Sequence, residues 1–151
     1  MKKWMRVLML FALCAGLLTA ALAGCSGRPA YKDGIYQAEA EEFHNGWKET
    51  VEITVKDGQI DKISWDAISD NPDIPINKKQ YSKSGLYGML AGGAQNEWCD
   101  QAKAAEDYIV QYGVDSFDID KEGHTDAISG CTVTVDTLAL LAQDCLRQAR
   151  R

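Results

Sequence analysis

Basic residues are scarce in this chain: 16 Lys and Arg stand against 22 Asp and Glu, a formal charge of −6 at pH 7. No basic patch overrides that balance, so a nucleic-acid partner, whose phosphates demand neutralising cations, is excluded. The five cysteines fall at no zinc-ribbon spacing. Only Cys99, Cys131 and Cys145 lie beyond residue 25, too few for a disulfide framework. No nucleophile–base pair or metal cluster is visible, which points to a carrier or binding protein more than to a stand-alone enzyme. Internal repeats and low-complexity tracts are also lacking, which excludes a solenoid.

The longest apolar run, residues 7–23, is too short and too weakly flanked for a permanent membrane span. Lys2, Lys3 and Arg6 precede it, so residues 1–24 read as an export signal. The run ends in Leu22-Ala23-Gly24-Cys25, which resembles the bacterial lipobox. There the Cys thiol takes a diacylglyceryl thioether and becomes the first residue after cleavage. An ordinary signal peptide or an uncleaved anchor is the plainer reading; the small residues at 23 and 24 favour lipidation of Cys25. Two or three acyl chains, at about 0.8 kcal/mol per buried CH₂, tether a protein firmly. The expected product is a cell-membrane lipoprotein facing outside the cytoplasm, with residues 25–32 as tether and 33–151 as one domain. Loss of residues 1–24 leaves 13 basic against 22 acidic residues, a net charge of −9. Such a surface does not adhere to anionic lipid, so the acyl anchor does the holding.

Along the domain, residues 35–40 alternate apolar and polar as a strand does, and Asn45-Gly46 marks a turn. Residues 48–56 and 59–67 form two more alternating runs, with Val51, Ile53 and Val55 on one face and Ile63, Trp65 and Ala67 on the other run. Asp57-Gly58 between them supplies the positive-φ positions of a tight hairpin. Residues 69–78, with Pro72 and Pro75, read as a loop. Leu86, Met89 and Leu90 hint at a short helix within 81–93, against four glycines. Trp98, Ala102, Ala105, Ile109 and Tyr112 recur at helical period, with Gly113 as C-cap. Residues 114–119 are a candidate return strand. Leu138, Leu141, Ala142, Cys145, Leu146 and Ala149 trace the apolar stripe of a final helix, with Arg147 and Arg150 at its negative end. Strands followed by helices predict an α+β domain, a small antiparallel sheet with helices packed on one face.

The stretch with the most chemistry is Asp126-Ala127-Ile128-Ser129-Gly130-Cys131-Thr132-Val133-Thr134, just before that final helix. A helix starting near Thr132 would present unpaired N–H groups and a positive dipole end to an anionic group. Gly130 lets the backbone approach a bulky ligand, and Thr134 and Asp136 add polar atoms. A plain N-cap formed by Ser129 or Thr132 is the alternative. With a helix that long, Cys131 and Cys145 would sit about 21 Å apart and could not pair. A bridge from Cys99 to either, or buried free thiols, stays open.

This stretch resembles the Asp-x-x-Ser/Thr-Gly-Ala-Thr motif of FMN-binding domains, with Cys131 in the Ala position. Such domains occur in flavin subunits of sodium-translocating NADH:quinone reductases and in lipoproteins of extracellular electron transfer. The likeness extends from Tyr31-Lys32-Asp33-Gly34 through the Asp57-Gly58 hairpin to the motif. It implies FMN esterified through its phosphate to Thr132, installed from FAD by a separate flavin transferase. Asp126 and the Ser129-Gly130 turn would present Thr132, and Cys131 would fill a small-residue slot.

The resemblance thus implies a membrane-tethered flavoprotein electron carrier, fed by a membrane oxidoreductase or another redox protein. A cofactor-free lipoprotein binding module or surface antigen, and a flavin reductase with its own substrate, are the alternatives. His124, Tyr87 and Trp98 are further candidates to touch a flavin, against plainer readings as a solvated loop residue and core aromatics. The acidic runs 39–42 and 115–122 read as solvated faces or as docking sites for a basic redox partner.

Overall fold

The structure is a computed structural model that describes residues 31–150; the export signal, Cys25 and the start of the tether lie outside the described residues. Three antiparallel strands, β1 (Gly34–Glu39), β2 (Trp47–Lys56) and β3 (Gln59–Ser69), form a sheet in the order β1-β2-β3. Asp57 and Gly58 take φ of 51° and 74°, the two positive values that a type I′ hairpin turn requires. Near that turn the register shifts: Thr54 pairs with Lys62 but Val55 with Ile60, leaving Asp61 as an extra residue. This bulge puts Ile60 out of step with Ile63, Trp65 and Ala67.

Alternation sends Val51, Ile53, Val55, Ile63, Trp65 and Ala67 to one face, where all are buried. Two helices cover that face. Helix α2 (Trp98–Tyr112) packs over β3, and α3 (Asp136–Ala149) over β1 and β2. Their apolar stripes are those the sequence predicts, and each fully buried large apolar side chain contributes about 1.5–3 kcal/mol. Gly113 ends α2 at φ 89°, its N–H donating to the Ile109 carbonyl at 2.8 Å. Tyr112, expected on the buried stripe, is instead 48% exposed. The α+β architecture is as predicted.

Three local expectations are corrected. The first helix, α1 (Lys78–Lys83), begins before the 81–93 segment, because Asn77 and Gln80 form a reciprocal capping box. Residues 84–94 then run through turns, with Gly85, Gly88 and Gly93 at positive φ. In place of a strand over 114–119 the chain makes a 3₁₀ turn, Val114–Ser116, and one isolated bridge, Ile119 to Thr125. On β3 the Trp65 N–H is not free for a further strand: the buried Glu106 carboxylate of α2 accepts it at 2.6 Å and pairs with Lys79. Finally, α3 starts at Asp136 with Val135 as N-cap and no side-chain capping bond, so neither Ser129 nor Thr132 caps it. Cys131 therefore lies outside the helix that carries Cys145.

Candidate functional site

Two buried residues, Ile128 and Val135, pin the motif segment to the core, and the chain between them rises to the surface. Its rise starts with a turn in which the Cys131 N–H donates to the Ile128 carbonyl at 3.2 Å. Gly130 is the third turn residue at φ 75°, as a type II turn demands. A Cβ there would also stand 3.2 Å from Asn96 Nδ2.

After the turn, one side chain organises the segment. Gln101, on the first turns of α2 and 2% exposed, presents Oε1 to three donors. The Thr132 N–H donates at 2.7 Å, the Val133 N–H at 3.2 Å, and the Thr132 hydroxyl at 3.3 Å. Gln101 Nε2 is spent on the Asn96 carbonyl at 3.0 Å, which fixes the amide orientation. Thr132 is thereby held with its hydroxyl at the surface, on the wall of a cleft of about 360 Å³.

The other walls come from four elements. Asn45 and Gly46, at φ 50° and 81°, close a two-residue turn that pairs His44 with Trp47 and brings both to the cleft. Trp98 enters from α2. Tyr87 enters from the loop after α1, which the buried Glu97 carboxylate holds by accepting the Leu90 N–H at 3.1 Å and the Met89 N–H at 3.4 Å. The rings lie close together, Trp47 to Tyr87 at 6.3 Å and Tyr87 to Trp98 at 6.5 Å between centroids. Trp65 backs Trp98 edge-on at 5.0 Å.

Into this aromatic box points Lys78, the first residue of α1. Its Nζ lies 4.5 Å from the Trp98 ring centroid, 5.2 Å from Tyr87 and 5.9 Å from Trp47. Burial pushes the Lys78 ammonium below its ordinary pKa, while Glu49 and Asp66 pull it back up. Glu49, on β2, accepts the Trp65 indole N–H at 2.9 Å; its pKa is raised by burial, and that hydrogen bond and Lys78 oppose the rise. Burial likewise raises Tyr87.

Of the residues the motif suggested, Thr132 and Thr134 line the cleft, with His124, Tyr87 and Trp98. Asp126, Ser129 and Gly130 are exposed on the segment leading to it, and Cys131 is half-buried beneath, its thiol facing the Val133 carbonyl at 3.9 Å. Cys99, Cys131 and Cys145 are all free thiols. Sequence reasoning missed Gln101, Lys78, Glu49 and Trp47. Only Lys78 carried a local signal, the Asn77-x-x-Gln80 capping pattern that puts it at a helix start.

Residues 46–147 match the FMN-binding domain. The chain belongs to the FMN-binding domain family. It is therefore read as an FMN-binding flavoprotein, and the matched segment contains the whole cleft save His44 and Asn45. Two solved structures are similar to it. A solution structure from Clostridium thermocellum is 44% identical, with a TM-score of 0.58, covering 80% of this chain and 93% of that one. A crystal structure from Clostridium perfringens shares the fold at 20% identity and a TM-score of 0.60, covering 79% of this chain and 88% of that one. No curated protein matches.

The donor set fits FMN. Aromatic side chains in the lining suit an isoalloxazine ring, the volume lies within the range of ligand pockets, and the Lys78 cation and the Thr132 hydroxyl share the cleft with the carboxylates of Glu49 and Asp136.

Proposed function

We propose that this protein is a membrane-tethered electron carrier outside the cytoplasm, with FMN esterified through its phosphate to Thr132 Oγ1. The observation that carries the reading is the triple hold of Gln101 on Thr132. It leaves the hydroxyl at the edge of an aromatic cleft while satisfying the backbone around it. The bound isoalloxazine supplies one- and two-electron chemistry. The chain's part would be to hold it: the residues lining the cleft would border the ring, and the ester at Thr132 would stop the cofactor from being lost by dilution.

Attachment from FAD by a flavin transferase forms the Thr132 Oγ–P bond, breaks the pyrophosphate and releases AMP and the hydroxyl proton. The anchor is the Cys25 thioether, and the electron donor a membrane oxidoreductase or another redox protein. Thr132→Ala tests the site. The variant should fold, since a single hydroxyl hydrogen bond is worth only about 0.5–1.5 kcal/mol, and should carry no flavin after denaturation. FMN mass on the denatured Thr132→Ala chain refutes the assignment, and absence of FMN from wild type supports a cofactor-free binding module. Cys25→Ser should release the domain from membranes or leave it unprocessed.

A further inference from the structure

Lys78 has no task in the attachment of flavin, yet its placement is costly. The residue is 7% exposed, and among the described residues its ammonium makes no hydrogen bond or ion pair. Its neighbour Lys79 pairs with Glu106, and the Lys79 N–H donates to Asp66 at 3.0 Å, so α1 is locked with Lys78 facing inward. Three ring faces attract the cation but bring no counter-charge. Glu49 is the strongest charge drawing on it, and that carboxylate is itself engaged by the Trp65 indole. Lys78 also opens a helix, where the dipole disfavours cations. The ammonium tip keeps its contact with solvent at the cleft, and Glu49 and Asp66 supply the charge that acts on it, so Lys78 presents a cation to whatever the cleft holds.

We propose that Lys78 sets the redox potential of the flavin in this cleft, by holding positive charge against the isoalloxazine and favouring its reduced, anionic form. The inference rests on the flavin reading above. Two electrons and one proton added to the neutral ring would give it one new N–H and one negative charge; Lys78 gives up neither proton nor electron and acts by its field. The phosphoester on Thr132 and the Glu49 carboxylate carry the same charge in both redox states, so only the negative charge added to the ring makes the Lys78 field differ between them.

The test is a dye-equilibrated dithionite titration of flavin-loaded wild type, Lys78→Met and Lys78→Arg at pH 7, with Lys78→Gln should the Met variant unfold. Dithionite supplies the electrons and water the proton. At a fixed potential the ratio of reduced to oxidised flavin should fall at least tenfold in Lys78→Met, about 30 mV for a two-electron couple. Lys78→Arg should stay within threefold of wild type, a rescue that packing alone would not produce. Equal potentials in all flavin-loaded forms overturn the proposal while leaving the flavin site intact. A lower flavin load with unchanged potential overturns it too, since the cation would then serve the phosphate. A wild-type chain without flavin removes the underlying reading as well.

Discussion

Gln101 Oε1 sits 2.7 Å from the Thr132 nitrogen and 3.3 Å from the Thr132 hydroxyl, across 31 residues of sequence. Helix α2 thus reaches out of the core to shape a surface segment that has no regular structure of its own. The hydroxyl is the weakest of the three bonds Gln101 receives, and it is the one that esterification removes. The two amide bonds survive, so attachment need not disturb the backbone.

Gln101→Leu should therefore do two things. Losing the acceptor strands two backbone N–H groups in a part-buried site, at about 1–3 kcal/mol each less whatever water recovers. The melting temperature should fall, and flavin per chain after a fixed exposure to transferase should fall further, because the hydroxyl is no longer held. Gln101→Glu keeps the acceptor oxygen but loses the donor to the Asn96 carbonyl and buries a charge, so it should recover neither the stability nor the load. Full loading of Gln101→Leu would show that the clamp plays no part in attachment.

Gly130→Ala probes the turn. Its φ of 75° is left-handed, which costs an L-residue about 1–2 kcal/mol, and the new Cβ would crowd Asn96 Nδ2 at 3.2 Å. Asn96 in turn supplies the carbonyl that orients Gln101. The expected outcome is a modest loss in urea stability with a disproportionate loss of flavin load. A variant that loses stability and loads normally would confine Gly130 to folding.

These relationships mark how far the sequence could be read. Asp57-Gly58 and the stripes of α2 and α3 were legible because their signals are local: a turn pair needing positive φ, and apolar residues at the period of the element. The start of α3 was not. Thr132 and Val133 find their amide acceptor in Gln101, and the Val135 N–H finds the Gly123 carbonyl at 2.7 Å, so the segment satisfies its backbone from afar and needs no helical turn. The aromatic box was hidden for the same reason. Trp47, Lys78, Tyr87 and Trp98 come from four separate elements, and no periodicity links them. Thr132 itself was legible only through resemblance, since its residues alone read equally as a cap.

Cys145 gives a pH prediction. Burial pushes its thiol from 9.0 to about 11, so the native state holds the proton more tightly than the unfolded chain. This raised pKa contributes fully below pH 9 and is lost as pH rises through about 11. Urea stability of wild type should decline more between pH 8.5 and 10.5 than that of Cys145→Ala, by about 1–3 kcal/mol at about 1.4 kcal/mol per pKa unit. Parallel declines would show that other groups carry the alkaline loss.

Cys131 tests where this chain departs from the motif it resembles. The side chain is half-buried below the turn, its thiol directed at the Val133 carbonyl at 3.9 Å, and burial raises its pKa. A thiol so placed stays protonated at neutral pH and is a poor nucleophile. The helix start that would have lowered its pKa lies at Asp136, too far along the chain to act on it. The residue therefore acts as a small apolar filler packed against the core. Cys131→Ala removes one sulfur without touching the Gly130 turn, the Gln101 clamp or the Thr132 hydroxyl. It should carry flavin at least as fully as wild type and show an unchanged flavin potential. Thiol titration of the native protein should find Cys131 slow to react, and the variant should lose one thiol only after denaturation. A lower flavin load in Cys131→Ala, or a shifted potential, would give the sulfur a role in the site and defeat the filler assignment.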